Sequence, residues 1–194
     1  MEKYLSPDDA LAELKTGNDV FVQSFAQAEQ RSYLQHVSRD QVVLASILSC
    51  ADARTAPEHL FSQGLGDIFV IRVAGNVATE IEQASLEYSA VVLKCPLIVV
   101  MGHSECGAVR TALDACNGKT FPGQIQALAS LIAPAATQTR DWPGDWLENA
   151  TRENVRMSVQ SLSTSSVLSP LADAGRLKIV GAYYELASGK VTLL

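Results

Sequence analysis

Four short, almost wholly apolar runs recur along the chain, over residues 42–48, 68–73, 97–101 and 177–182. Each is rich in Val and Ile, and each is bounded by polar or turn residues. Continuous apolar runs of this length predict strands buried on both faces, as in a parallel sheet. Gly189 marks a turn, after which a short last strand is predicted over 191–194. Between the runs, apolar positions at helical spacing predict helices over 79–93, 107–115, 123–137, 142–161 and 169–174. Strand and helix alternate throughout. This predicts an α/β fold: a central, mostly parallel sheet of four parallel strands plus a short C-terminal strand, with helices on both faces.

Ahead of the first strand, Ser6-Pro7-Asp8-Asp9 is a helix start. Ser6 suits the N-cap, Pro7 the first turn, and the two acids face the positive end of the helix dipole. That helix is predicted to end at Gly17-Asn18, and a second to follow over 19–28. Both are only partly amphipathic, so they are expected to pack on a partner subunit. With no repeat, low-complexity segment or linker, one domain is expected over 1–194: a helical arm over 1–35 and an α/β core over 40–194.

Composition narrows the function classes. Of the 194 residues, 47% are hydrophobic and 19% charged, with a net charge of -6 and no Lys/Arg run. Nucleic acid and anionic membrane are therefore excluded as expected partners. No apolar run reaches the ~18 residues of a membrane span. The first residues lack the basic start and apolar core of a signal peptide, so a cytoplasmic protein is expected. In that compartment the four cysteines point to metal or catalysis rather than to disulfides. Cys95 and Cys116 read as ordinary small apolar residues.

The candidate chemistry gathers at strand ends. Cys50 follows the first run and opens Cys50-Ala51-Asp52-Ala53-Arg54; His103 follows the third and opens His103-Ser104-Glu105-Cys106. The carboxyl ends of parallel strands are where open α/β sheets place their sites. Two thiols and an imidazole suit zinc, and three protein ligands leave a fourth tetrahedral position open, as in catalytic sites. Asp52 has two possible roles. It is either a fourth ligand that closes the site, or the partner of Arg54, accepting a hydrogen bond from a zinc-bound hydroxide. Arg54 has the bidentate geometry to hold a carboxylate off the metal. A strand-end ion pair without a catalytic role is the plain alternative. Zinc lowers the pKa of water from ~15.7 toward ~7. Two thiolates weaken that effect, so activity is expected to rise on the alkaline side.

These motifs resemble those of the β-class carbonic anhydrases. Cys50-Ala51-Asp52-Ala53-Arg54 is similar to the family's C-S-D-S-R, with alanine in place of both serines. Residues 66–76, Gly-Asp-Ile-Phe-Val-Ile-Arg-Val-Ala-Gly-Asn, match G-D-x-F-V-x-R-x-A-G-N, and residues 102–108 match G-H-x-x-C-G-A. The N-terminal helix and the segment from Gly181 to Val191 extend the likeness over nearly the whole chain.

The resemblance implies one zinc per subunit on Cys50, His103 and Cys106, with Asp52 and Arg54 as a catalytic dyad. It implies attack of a zinc-bound hydroxide on carbon dioxide, giving bicarbonate and a proton. His36 and His59 are candidates for proton relay, although a surface or capping histidine explains each. Gln41, Phe69, Ala74 and Tyr88 fall where plant-type members line the substrate pocket, partly from a neighbouring subunit; core packing alone also explains the last three. Ile47 stands where the bicarbonate-regulated branch has tryptophan, so that branch's second pocket is expected to be incomplete despite Arg72. Water is expected as fourth ligand at neutral pH, with Asp52 on zinc possible at low pH. A homodimer or homotetramer is implied. The alternatives are a carbonyl sulfide or carbon disulfide hydrolase on the same scaffold and, in another class, a non-catalytic zinc scaffold protein.

Overall fold

The five predicted strands form one sheet, ordered β2-β1-β3-β4-β5. Strands β1 (Ala45–Ser49), β2 (Ile68–Arg72), β3 (Leu97–His103) and β4 (Lys178–Glu185) are parallel, and β5 (Lys190–Leu193) runs antiparallel to β4. This computed structural model describes residues 43–194, together with Thr16 and Gln23, which are helical and exposed. The chain divides between residues 41 and 42 into two units, and the sheet with its helices makes up the second. Apart from Thr16 and Gln23, the helices expected over 6–16 and 19–28 and the arm over 1–35 lie outside the described residues, as do His36 and Gln41.

The central strands β1 and β3 are buried almost end to end, whereas the edge strand β2 is half-buried. Six helices follow the strands: α1 (Pro57–Leu60), α2 (Glu80–Val91), α3 (Gly107–Cys116), α4 (Gln124–Gln138), α5 (Trp146–Ser163) and α6 (Leu168–Asp173). One sheet face, with Leu48, Ile98 and Val100, packs against Leu86 and Ala90 of α2, Val155 and Leu162 of α5, and Leu168 of α6. The other, with Ile47, Val99, Met101 and Ala182, meets Leu60 and Phe61 at the end of α1. Helices on both faces were the expectation; among the described residues, the long ones sit on the Leu48 face or beyond the strand ends. There α3, α4 and α5 form a second apolar cluster, which also takes in Cys50 and Cys106.

Two departures from the apolar pattern matter for function. The third strand does not stop at Met101 but continues through Gly102 to His103. Its neighbour β4 carries the ladder that far, pairing Tyr183 with Gly102 and Tyr184 with His103. Gly102 permits this because a Cβ there would lie 2.8 Å from Val155 Cγ2 and 3.0 Å from Thr151 Cγ2 of α5. The second departure is a 3-10 turn over Ala74–Asn76, just after β2, which no periodicity signalled.

Candidate metal centre

Because β1 and β3 are hydrogen-bonded neighbours with Ser49 opposite Met101, Cys50 and His103 emerge side by side at the sheet's carboxyl edge. The chain then turns sharply through Glu105, which takes a left-handed φ of 57°, and returns Cys106 to the same spot. A non-glycine residue in that region costs on the order of 1 kcal/mol or more, a strain that clusters at functional sites. Cys106 is the N-cap residue of α3, where the positive end of the helix dipole favours a thiolate.

The ligating atoms of Cys50, His103 and Cys106 all lie within 4.8 Å of one another, and all three residues are buried. The two sulfurs are 4.0 Å apart. Tetrahedral zinc at the usual Zn–S length of about 2.3 Å sets its sulfurs about 3.8 Å apart, so the spacing fits. His103 Nδ1 lies 2.8 Å from the Ser104 carbonyl oxygen, to which it donates. That leaves Nε2 as the atom with a lone pair, and Nε2 is buried without a hydrogen-bond partner. A buried imidazole lone pair facing two thiols is a donor set that suits a cation between them. The thiols carry the same message. Hydrogen bonding with Cys106 pulls Cys50 well below the ordinary thiol range, while the same contact, together with burial, pushes Cys106 up.

The ligands are held by a web of backbone contacts. Cys50 Sγ accepts from the Gly75 N–H at 3.3 Å and the Asp52 N–H at 3.4 Å. Arg72, at the end of β2, donates through Nε to the Cys50 carbonyl at 3.1 Å and through Nη2 to the Asp52 carbonyl at 2.6 Å. The buried Thr55 hydroxyl lies 3.0 and 2.9 Å from the same two oxygens. On the other side, Ser104 Oγ donates to Glu185 at 2.8 Å and accepts from the Leu186 N–H. Asn154 of α5 donates to the Gly75 carbonyl at 2.8 Å, fixing the 3-10 turn. Sequence reasoning missed Thr55, Ser104, Glu185 and Asn154. Only Arg72 gave a signal, as a charge inside an apolar run, and its guanidinium is engaged by the metal loop. An Arg72→Lys variant keeps the charge but not the fork. It is expected to weaken zinc affinity about 10–100-fold, the usual cost of losing such a supporting partner, when measured by competition with a chelator.

Asp52 and Arg54 form the pair expected. Arg54 Nε meets Asp52 Oδ1 at 2.9 Å and Nη2 meets Oδ2 at 2.7 Å, while the Arg54 N–H donates to Oδ1 at 3.0 Å. Asp52 is not among the clustered donors. Hydrogen bonding to Arg54 holds its carboxyl well below the usual carboxylate range. The sign is that of a depressed acid: whatever the pair contributes is fully present above the ordinary carboxylate pKa and is lost only as pH falls below it. Replacing Arg54 by Ala is therefore expected to raise the Asp52 pKa toward the ordinary ~3.9, as read by carboxyl carbon NMR titration.

Of the remaining candidates, Ala74 adjoins the cluster, because the amide of the next residue, Gly75, donates to Cys50 Sγ at 3.3 Å. Phe69 is half-buried on β2, and its ring centroid is 6.3 Å from that of Tyr88, which is half exposed on α2. Ala74 is half-buried at the start of the 3-10 turn, and His59 is exposed in α1. Cys95 is buried and Cys116 partly so, and both are free.

A buried cluster of three donors that could hold a metal ion, beside an ion-paired carboxylate at the edge of a parallel sheet, defines a class of α/β protein. The particular family follows from likeness to known proteins. A model of the carbonic anhydrase family matches residues 45–191. Carbonic anhydrase 2 of Mycobacterium tuberculosis is 38% identical over 192 residues, covering 97% of this chain and 93% of that protein. The carbonic anhydrase of Mycolicibacterium smegmatis is 35% identical over 195 residues, with the same coverage of 97% and 93%. Among solved structures, the β-carbonic anhydrase CcaA superposes with a TM-score of 0.86 at 24% identity, covering 95% of this chain and 87% of that one. A tetrameric β-carbonic anhydrase from Sordaria macrospora gives 0.85 at 19% identity, covering 96% and 97%. The chain belongs to the β-carbonic anhydrase family, a family of lyases.

Proposed function

We propose that the chain catalyses the reversible hydration of carbon dioxide to bicarbonate and a proton, with one zinc ion held by Cys50, His103 and Cys106. The observation that carries this reading is the buried cluster of two thiols and an imidazole, whose donor atoms all lie within 4.8 Å of one another. When bound, zinc supplies a Lewis acid that makes water a nucleophile at neutral pH.

The protein's own groups do the rest. Arg54 occupies three of the four acceptor positions of Asp52 and holds the carboxylate away from the metal donors. The position left on Oδ2 orients the attacking water through a hydrogen bond. Because Asp52 stays ionised across the neutral range, it acts as an acceptor throughout. An Asp52→Asn variant is expected to keep its zinc and lose about 100-fold or more in turnover, the scale for removing an oriented polar contact to the reacting group. Metal analysis beside stopped-flow hydration kinetics checks both halves.

The family resemblance assigns the substrate pocket to Phe69, Ala74 and Tyr88, shared across a subunit interface; Gln41, which the resemblance adds, lies outside the described residues. Support comes from α2 and its C-terminal cap, where Ile81, Tyr88, Val91 and Val92 are each at least 50% exposed, beside the edge strand β2. Apolar side chains at this helical spacing are expected to be covered by a second copy in a homodimer or homotetramer. The Sordaria neighbours are described as tetrameric. Sedimentation velocity tests this, a monomer at micromolar concentration being the contrary result. Four free cysteines suit a cytoplasmic location, and no helix among the described residues is long and apolar enough to cross a membrane. Carbonyl sulfide can be hydrolysed by the same donor set. Hydrogen sulfide release measured beside carbon dioxide hydration decides the substrate: the faster gas is the one the pocket admits.

A further inference from the structure

The turn over Ala74–Asn76 is held from outside itself. Gly75 takes a left-handed φ of 71° and Asn76 one of 45°, a stretch of backbone that its surroundings must support. One main-chain bond closes it, from the Asn76 N–H to the Val73 carbonyl at 3.0 Å. The Asn76 side chain adds no support: it is fully buried, and neither end of its amide has a hydrogen-bond partner. Among the described residues the one side-chain donor to the turn is Asn154 of α5, 79 positions away in sequence.

Asn154 is 5% exposed, and its Nδ2 lies 2.8 Å from the Gly75 carbonyl oxygen. A carbonyl only accepts, so the amide nitrogen is the atom that faces it. This contact holds one end of Gly75. The other end, its N–H, donates to Cys50 Sγ at 3.3 Å. Glycine has no side chain to anchor it between the two contacts, so its amide keeps its aim on the sulfur only while its carbonyl is held. The same helix carries Thr151 and Val155, which a Cβ on Gly102, the residue before His103, would meet. Helix α5 therefore bears on both strand ends that bring the metal donors together.

An N–H aimed at a thiolate draws charge from the sulfur, and such contacts tune the metal that the sulfur holds. We infer that Asn154 is a positioning residue for the metal centre: it aims the Gly75 N–H at Cys50 Sγ and so limits the charge that this thiolate gives the ion. The effect counts here because two thiolates otherwise blunt the Lewis acidity of zinc. The inference rests on Cys50 being a zinc ligand, as in the proposed function.

The test uses the full chain loaded with cobalt(II), which reports thiolate ligands through a sulfur-to-metal charge-transfer band. A sulfur that loses an N–H contact is richer in charge, so its band moves to longer wavelength. Asn154→Leu keeps the approximate shape and removes the donor. Asn154→Ala is the second variant: Asn154 borders a cavity of about 550 Å³, so water can reach the freed carbonyl, and alanine is a good helix former. Ser158→Ala is the control, since Ser158 lines the same cavity one turn along α5 and makes no hydrogen bond to the turn among the described residues. Both Asn154 variants are expected to move the band to longer wavelength, leucine more than alanine. Each is also expected to bind zinc about tenfold more weakly in competition with a chelator, the lower end of the scale for a lost supporting partner. The control should match wild type in both readouts. If the leucine variant does not fold, the alanine variant decides. A lower melting temperature with an unmoved band and unchanged zinc affinity would make Asn154 a structural contact only and overturn the inference, while the zinc reading stood. A wild-type spectrum without a thiolate band would remove the zinc reading and the inference with it.

Discussion

A Cys50→Ser chain is expected to fold, to lose its zinc, and to lose carbon dioxide hydration by more than about 100-fold. That exceeds the effect of removing a supporting partner, because a ligand itself is gone. The hydroxyl that replaces Sγ is a poor zinc donor and stays protonated at neutral pH. Folding should survive because the Cys50 position is fixed by its backbone: its carbonyl is gripped by Arg72 and Thr55. The apolar cluster that surrounds it is also built chiefly from α3, α4 and α5. Circular dichroism separates loss of metal from loss of fold, and metal analysis by mass spectrometry reads the occupancy directly. A non-catalytic scaffold role predicts something different: no hydration activity to lose in the wild type.

Gly75→Ala is expected to be the most damaging single methyl. Gly75 takes a φ of 71°, and a Cβ there would lie 2.6 Å from Ile132 Cδ1 and 3.2 Å from Ala108 Cβ. The left-handed backbone costs about 1–2 kcal/mol for an L side chain, and overpacking a closed core costs about 1–3 kcal/mol more. Ile132 cannot swing aside freely, because it is fully buried between the helices of that cluster. A total of about 3 kcal/mol lowers the melting temperature by about 6–12 °C in a chain of this size. The Gly75 amide also donates to Cys50 Sγ, so zinc affinity should fall as well. Gly118→Ala is the control: its φ is 91° and nothing lies within 4 Å, so only the backbone cost applies and zinc affinity stays unchanged. If the two variants melted together, crowding at Gly75 would not be the cause.

The strands were legible because β1, β3 and the middle of β4 are buried, which leaves short continuous apolar runs rich in Val and Ile. Strand ends were less so. Gly102 and His103 carry no apolar signal, and only the ladder supplied by β4 and the close approach of α5 keep them in β3. The cysteine and histidine donors stood out by residue type, and Asp52 and Arg54 by sitting two residues apart next to a donor. The groups that aim them were hidden for a physical reason. Thr55 and Arg72 act on main-chain carbonyls, Gly75 acts through its own amide, and Ser104 and Glu185 meet across 81 positions of sequence. Contacts to backbone leave no pattern in residue type. The substrate pocket is the least legible part, since Phe69 is half-buried on an edge strand and Tyr88 half exposed on a helix, positions that ordinary packing explains as well.

The most direct measurement is the carbon dioxide hydration rate by stopped flow as zinc is titrated into chelator-stripped protein. The proposed site predicts activity that rises in proportion to zinc and stops at one ion per chain, with Cys50→Ser flat throughout. Full zinc occupancy without hydration, or hydration undiminished in the stripped protein, would contradict it.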